Sequence, residues 1–314
     1  MSKPMVSAIV PTFKRPALVA RALASVLAQT WRPLELVVVD DGSGDETPAV
    51  LDRFAVSAAE AGVQYRWMSV QNGGPGRARN AGIEASRGEL LAFLDDDDAW
   101  LPPKLERQVP ILSQAEAGVA FSRYLHFGQE QRPKPPESAL IDGWVFRSLC
   151  DGSTRAHLQT LVVKRSVIEK VGAFAPLYNF EDSEFCLRAS LEFPFVCVRD
   201  ALSVIHGAPN TVSRDAGLEG DLKRDALKLQ VLTDFAQRFS GHARFEAAAL
   251  KSFRARVYDE HVKHLLWLGR VKEAGEAYAQ AERECGKHRV LSELKGKLTK
   301  ARILGWFGMK LEKP

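Results

Sequence analysis

The sequence predicts an α/β protein, a Rossmann-like domain on a mainly parallel sheet followed by a helical C-terminal region. Three observations carry that expectation. Strand and helix signals alternate at short intervals through the first hundred residues. Three strand candidates stop at polar clusters, Pro11-Thr12, Asp40-Asp41 and Asp95 to Asp98. From about Leu218 onward the pattern is helical throughout.

The elements follow in order. Val6 to Val10 is a short apolar run stopped by Pro11. Leu18, Val19, Ala22, Leu23, Val26 and Leu27 then recur at helical spacing. Leu34 to Val39 reads as a buried strand, Thr47 to Ala61 as a helix and Val63 to Val70 as a third strand. Asn72 to Gly76 is a turn, Arg77 to Ser86 a helix, and Leu90 to Leu94 a strand that runs into four aspartates. Beyond Trp100 the pattern predicts a helix over Lys104 to Gln114 and an extended stretch over Val119 to Phe127. The prolines of residues 129–138 mark an exposed loop. His157 to Val163 is a strand candidate, Glu184 to Leu191 a helix, and Phe195 to Val198 and Leu202 to His206 two short strands. Leu222, Ala226, Leu229, Leu232 and Phe239 form one helical stripe, and Phe253, Val257, His261 and Leu265 another. A last Ala-rich helix spans Lys272 to Cys285. The expected division is a domain of residues 1–215 and a helical region of residues 216–314, with no fixed-period repeat.

With 314 residues, 46% hydrophobic and 26% charged, the chain has room for one large domain and an appendage. The net charge of +4 is unevenly spread. Acidic residues gather at the strand ends, whereas Arg283, Lys287, Arg289, Lys295, Lys297, Lys300, Arg302, Lys310 and Lys313 make the C-terminus basic. Such a run is either a solvated helix face or a contact for acidic lipid or nucleic acid. Leu291 to Leu311 reads as an amphipathic helix that either packs on the protein or lies on a membrane, with Trp306 and Phe307 as anchors. Cys150, Cys186, Cys197 and Cys285 are far apart, which argues against a zinc site or a disulfide framework. The N-terminus lacks the flanks of a signal peptide, and no apolar run reaches the ~18 residues that span a bilayer. The expectation is a cytoplasmic protein, with peripheral contact to the cytoplasmic membrane face as the variant.

The aspartate run carries the sharpest chemistry. Asp95, Asp96, Asp97 and Asp98 repel one another at the end of a buried strand, and a divalent cation with a diphosphate supplies the missing counter-charge. Hard oxygen ligands suit Mg²⁺ or Mn²⁺. Asp40 and Asp41 are either turn residues or acceptors for a base or a ribose hydroxyl. Arg77, Arg79 and Asn80 open a helix after a glycine turn and can donate to phosphate. Glu181 and Asp182 sit in a helical first turn, where acidic residues also serve the helix dipole alone. His206 ends a strand as a candidate metal or phosphate ligand, or as a structural histidine.

Taken together, these segments resemble family-2 glycosyltransferases of the GT-A fold. The resemblance rests on Val6 to Arg15 (VSAIVPTFKR), Ser25 to Thr30 (SVLAQT), Glu35 to Asp45 (ELVVVDDGSGD) and Asn72 to Gly82 (NGGPGRARNAG). Leu94 to Lys104, Gly172-Ala173-Phe174 and Glu181 to Arg188 complete it, in the family's order, over roughly residues 5 to 215. It implies a single domain with a mixed, mainly parallel sheet. It further implies that the backbone of Pro11 and Thr12 and the side chains of Asp41 and Asp40 hold the nucleoside, with Arg79, Asp95 and Asp96 completing the nucleotide contacts. Asp95 and Asp97 match the D-x-D metal motif, which Asp98 extends. Asp182 matches the catalytic base, with Glu181 beside it. His206 and Arg214 resemble a late motif near the diphosphate and metal, although Ala208-Pro209 interrupts it here.

The chemistry this implies is inverting transfer of a sugar, most naturally from a UDP-sugar, to a hydroxyl of a glycan or lipid-linked acceptor in bacterial surface polysaccharide synthesis. A sugar nucleotidyltransferase would carry a glycine- and arginine-rich loop after the first strand, where this chain has Pro11-Thr12-Phe13-Lys14-Arg15. A non-catalytic nucleotide-sugar-binding protein of this fold would not need acidic residues in all three places. A nucleic-acid partner is disfavoured, since an acidic cleft repels a phosphate backbone. No G-x-G-x-x-G follows the first strand, which argues against a dehydrogenase.

Overall fold

The structure is a computed structural model that describes residues 3–129, 131–206, 217–306 and 311. Two compact units divide the chain, one of residues 1–145 and 154–208, the other of residues 146–153 and 209–314.

The first unit opens with β1 (Val6–Thr12), α1 (Pro16–Leu27), β2 (Leu34–Asp40), α2 (Thr47–Glu60), β3 (Gln64–Ser69), α3 (Pro75–Ala85) and β4 (Leu90–Phe93). The alternation produces three parallel pairings, β1 with β2, β1 with β4 and β2 with β3. Consecutive parallel strands need a crossover, and each helix supplies one. Both faces of β1 and β2 are buried, so these strands read as unbroken apolar runs. On one face, Val19, Leu23, Leu51 and Leu105 join the core; on the other, Ala78 packs on Val37 and Val39.

The second half adds β5 (Ala99–Trp100), α4 (Lys104–Gln114) and β6 (Val119–His126). The label α5 is given to Phe146–Asp151, which belongs to the other unit; β7 (Val162–Lys164), α6 (Arg165–Val171), α7 (Glu181–Glu192) and β8 (Phe195–Ile205) follow. The sheet order is β3-β2-β1-β4-β7-β6-β8-β5, with β7 antiparallel to both neighbours and β5 antiparallel to β8, so the sheet is mixed but mainly parallel.

Three local expectations change. The two short strands after Phe195 are one strand, β8, whose register against β6 shifts around Arg123. The stretch from His157 is not extended: Leu158–Thr160 is a 3₁₀ turn, and only three residues pair as β7. Neither α5 nor α6 was visible as a periodic pattern, both being too short. The helix α7 starts at Glu181, in keeping with the expected acidic first turn, where Phe180 takes a left-handed conformation (φ 76°) that turns the chain into the helix.

The second unit is helical, with α5, α8 (Gly217–Phe239), α9 (Ala247–Trp267), α10 (Val271–Cys285) and α11 (Arg289–Trp306). Its core joins Leu222, Tyr258, Val262, Leu265, Tyr278, Leu291, Leu294 and Leu298. The α8 stripe differs from the expected one: Ala226 faces solvent, and Asp225 is buried, bonded to the His264 ring at 2.7 Å. The apolar face of α11 is spent inside this core, leaving lysines on its outer face. That packing accounts for its amphipathic pattern without a membrane; Phe307 and the Trp306 side chain lie outside the described residues. No helix among the described residues is long and apolar enough to cross a membrane. All four cysteines are free, with Cys150 and Cys186 buried.

Candidate active site

The parallel strands deliver their carboxyl ends to one edge of the sheet, where ligands of open α/β sheets bind. Asp41 N–H donates to the Thr12 carbonyl at 2.9 Å, so the polar ends of β1 and β2 remain joined past the ladder. The Asp40 carboxylate is engaged within the protein: it accepts from the Ser43 amide (3.1 Å), the Ser43 hydroxyl and the Ser69 hydroxyl (3.0 Å). Asp41 reaches the glycine turn, accepting from Gly73 N–H at 2.9 Å, Gly74 N–H at 2.8 Å and the Asn72 amide at 3.1 Å. Burial raises its pKa against those bonds. Gly74 holds φ at 85°, a conformation closed to most side chains, which is why the turn needs glycine. Arg77 is exposed, lies against Gly73, and its charge acts on Asp41.

The aspartate run turns sharply after β4. One carboxylate oxygen each from Asp95, Asp97 and Asp98 lies within 4.8 Å of the others. Asp96 turns away, accepting from the Thr12 hydroxyl (2.8 Å) and Arg15 (3.0 Å), while Arg15 also reaches Asp97 at 3.3 Å. Arg21 donates to the Asp97 backbone carbonyl. Burial is the main cause that pushes Asp98 up to about 8, with the charges of Asp95 and Asp97 adding to it. Burial likewise pushes Asp96 up to about 6 and raises Asp97. Three hard oxygen donors converge with negative charge in excess, and that donor set fits Mg²⁺ or Mn²⁺. His206 meets this cluster through its backbone, donating N–H to Asp98 at 2.9 Å, while its ring stacks on Phe127. Arg214 lies outside the described residues.

Arg79 joins this cluster to α7. Its guanidinium is buried, donating to Asp95 at 2.6 Å and to Glu181 at 2.7 Å, and it faces the Phe174 ring. Asn80, one position on, bonds both the N–H and the carbonyl of Phe174 at 2.9 Å. Gly76 lets the elements close: a Cβ there would meet the Ala175 carbonyl at 3.1 Å and Glu181 Cγ at 3.3 Å. Asp182 follows Glu181, half-buried in the first turn of α7, and accepts from Ser183 N–H at 2.6 Å. Among the described residues it has no ion pair.

Several participants escaped sequence reasoning. Gln159 donates to Asp95 at 2.6 Å, and its carbonyl accepts from Trp100 and Ser203. His157, beside the Tyr124 ring at 4.6 Å, feels the charges of Asp182 and Asp95, although burial outweighs them and lowers its pKa. Arg15 and Arg21 contact the aspartate run itself. The only signal for them was basic residues soon after the first strand; nothing in the pattern marked Gln159. A shallow groove of about 410 Å³ lined by Pro16, Ala20, Val50 and Phe54 is lined by none of the acidic strand-end residues.

Solved structures share this architecture. A mannosyltransferase from Pyrobaculum calidifontis, in complex with GDP-Man and Mn²⁺, superposes with a TM-score of 0.62 at 19% identity, covering 96% of this chain and 81% of that one. TarS 1-349 of S. aureus, in complex with UDP-GlcNAc, gives 0.58 at 16% identity, with 93% and 92% covered. The fold is therefore GT-A. The family described as glycosyl transferase family 2 matches residues 7–171, just over half of the 314-residue chain, and the chain belongs to that family. An uncharacterized glycosyltransferase of Nostoc sp. is 29% identical over 273 residues, 81% of this chain and 82% of that protein. A putative teichuronic acid biosynthesis glycosyltransferase of Bacillus subtilis is 32% identical over 145 residues, 45% of this chain and 56% of that protein. The chain thus spans about half the length of several curated relatives it matches, 54% to 56%.

Proposed function

We propose that the chain transfers a sugar from a nucleoside diphosphate donor to a hydroxyl of a glycan or lipid-linked acceptor, inverting the anomeric centre. One observation carries the reading: the buried Arg79 ties Asp95 of the aspartate run to Glu181, the neighbour of Asp182. Asp95 and Glu181, carboxylates 86 positions apart in the chain, thereby share one guanidinium.

Pro11, Thr12 and Asp41, supported by Asp40, would hold the nucleoside, and Asp95, Asp97 and Asp98 would hold a divalent cation at the diphosphate. The cation supplies charge neutralisation of the leaving nucleoside diphosphate. Asp182 takes the proton of the incoming hydroxyl at a carboxylate oxygen as that hydroxyl attacks. One base and in-line attack predict inversion. Arg79 keeps Glu181 and Asp95 neutralised without leaving its buried position. The first donors to try are UDP-sugars, with GDP-sugars beside them, since the two structural neighbours bind one of each kind. Surface polysaccharide as the acceptor class is supported by the teichuronic acid relative.

Asp182→Asn tests the reading. Turnover should fall by about 10²- to 10⁴-fold, the usual contribution of a general base, while donor affinity by calorimetry stays within a few-fold. Turnover near the starting level, or loss of donor binding, would remove Asp182 from this role.

A further inference from the structure

Arg15 closes the segment after β1 and contacts the aspartate run directly. It is the N-cap of α1, and Lys14 before it sits at φ 54°, its N–H held by the Ser43 hydroxyl at 2.8 Å. From there the guanidinium spans Asp96 and Asp97 at 3.0 and 3.3 Å, with about a fifth of the side chain exposed. Asp97 is shared, since the same carboxylate belongs to the triad with Asp95 and Asp98. A divalent cation on that triad would therefore arrive beside a positive charge already in place. Both cannot keep Asp97 at full strength. Asp96 is outside the triad and keeps its bond from Thr12 in either case.

A diphosphate held by a cation on that triad would come near a side chain that already touches Asp97. A guanidinium offers a planar fork that fits phosphate, and it is only partly desolvated here. We propose that Arg15 is an exchangeable counter-ion: it neutralises Asp96 and Asp97 until a divalent cation enters, then turns its guanidinium to the diphosphate. This rests on the function proposed above, and gives Arg15 opposite effects on the two ligands. It opposes the cation and assists the nucleotide.

Calorimetry with MnCl₂ alone, then with UDP in saturating MnCl₂, separates those effects. Arg15→Gln should bind Mn²⁺ alone at least threefold more tightly than the unaltered protein, and bind UDP with Mn²⁺ at least tenfold more weakly. Arg15→Lys keeps the charge without the fork, so its Mn²⁺ affinity should stay within twofold while UDP weakens three- to tenfold. An arginine that only braces the loop would weaken both ligands together. Affinities that move in the same direction in Arg15→Gln, or a UDP affinity untouched in Arg15→Lys, overturn the exchange and leave the glycosyltransferase reading standing. An unaltered protein that binds neither UDP nor GDP in Mn²⁺ ends both.

Discussion

Arg79 shows how one side chain can define a site. Its two terminal nitrogens serve different carboxylates, Asp95 and Glu181, and the group is buried. Burial alone would depress its pKa, but the two acidic partners outweigh that and raise it, so the charge is secure. A lysine has one ammonium and cannot span both partners. Arg79→Lys should therefore fold with about 1–3 kcal/mol less stability by denaturant titration and lose much of its turnover, whereas Arg79→Leu, which strands buried Glu181, should cost about 3–5 kcal/mol. Equal stability for all three proteins would mean that the pairings carry nothing. The acidic members of this site were legible in the sequence because four adjacent carboxylates at a strand end have few structural uses. Their partners, Arg79 apart, were not. Gln159 and His157 reach the site from a 3₁₀ turn without periodicity, and Lys14 and Phe180 hold left-handed backbone that no residue preference announces. Both strained residues immediately precede site side chains, Arg15 and Glu181, as is common where function dictates local geometry.

At the scale of elements, legibility followed burial pattern and length. The strands β1, β2 and β4 were readable because parallel strands buried on both faces are unbroken apolar runs. Three-residue β7 and six-residue α5 were not, since tertiary contacts rather than period decide such short pieces. In α8 the buried position falls to Asp225, a polar residue that an apolar template skips, because His264 on α9 satisfies it. For α11 the periodicity was clear, but a single sequence could not say what covers the stripe. The structure covers it with the helical unit's own core, which predicts where mutations hurt. Leu294→Ala, at a site 1% exposed, should destabilise that unit by about 2–5 kcal/mol, while Lys295→Glu on the outer face should change stability by less than about 0.5 kcal/mol. Chemical denaturation followed by far-UV circular dichroism reads both. A harmless Leu294→Ala would imply that α11 is not packed as described.

The first unit as a whole is a device for gathering charge from distant parts of the chain. Parallel β1, β2 and β4 end on one edge, and α1, α3 and α7 bring Arg15, Arg79 and Glu181 to the residues at those ends. In isolation that edge is electrostatically unfinished: burial and mutual repulsion hold Asp97 and Asp98 above the ordinary carboxylate range. A cation would supply the missing positive charge and a seat for a diphosphate, whereas a diphosphate alone would face carboxylates of like charge. Stability should then respond to the pair far more than to the parts. A ligand bound only by the folded state at 100 times its Kd adds about 2.7 kcal/mol, or about 5–10 °C for a unit of this size. Differential scanning calorimetry with MnCl₂ plus UDP should show such an upward shift. UDP with EDTA should give little of it, and Asp97→Ala should give none with either. If UDP stabilises the protein equally with EDTA present, or if Asp97→Ala responds like the unaltered chain, the aspartate run is not where cation and nucleotide meet.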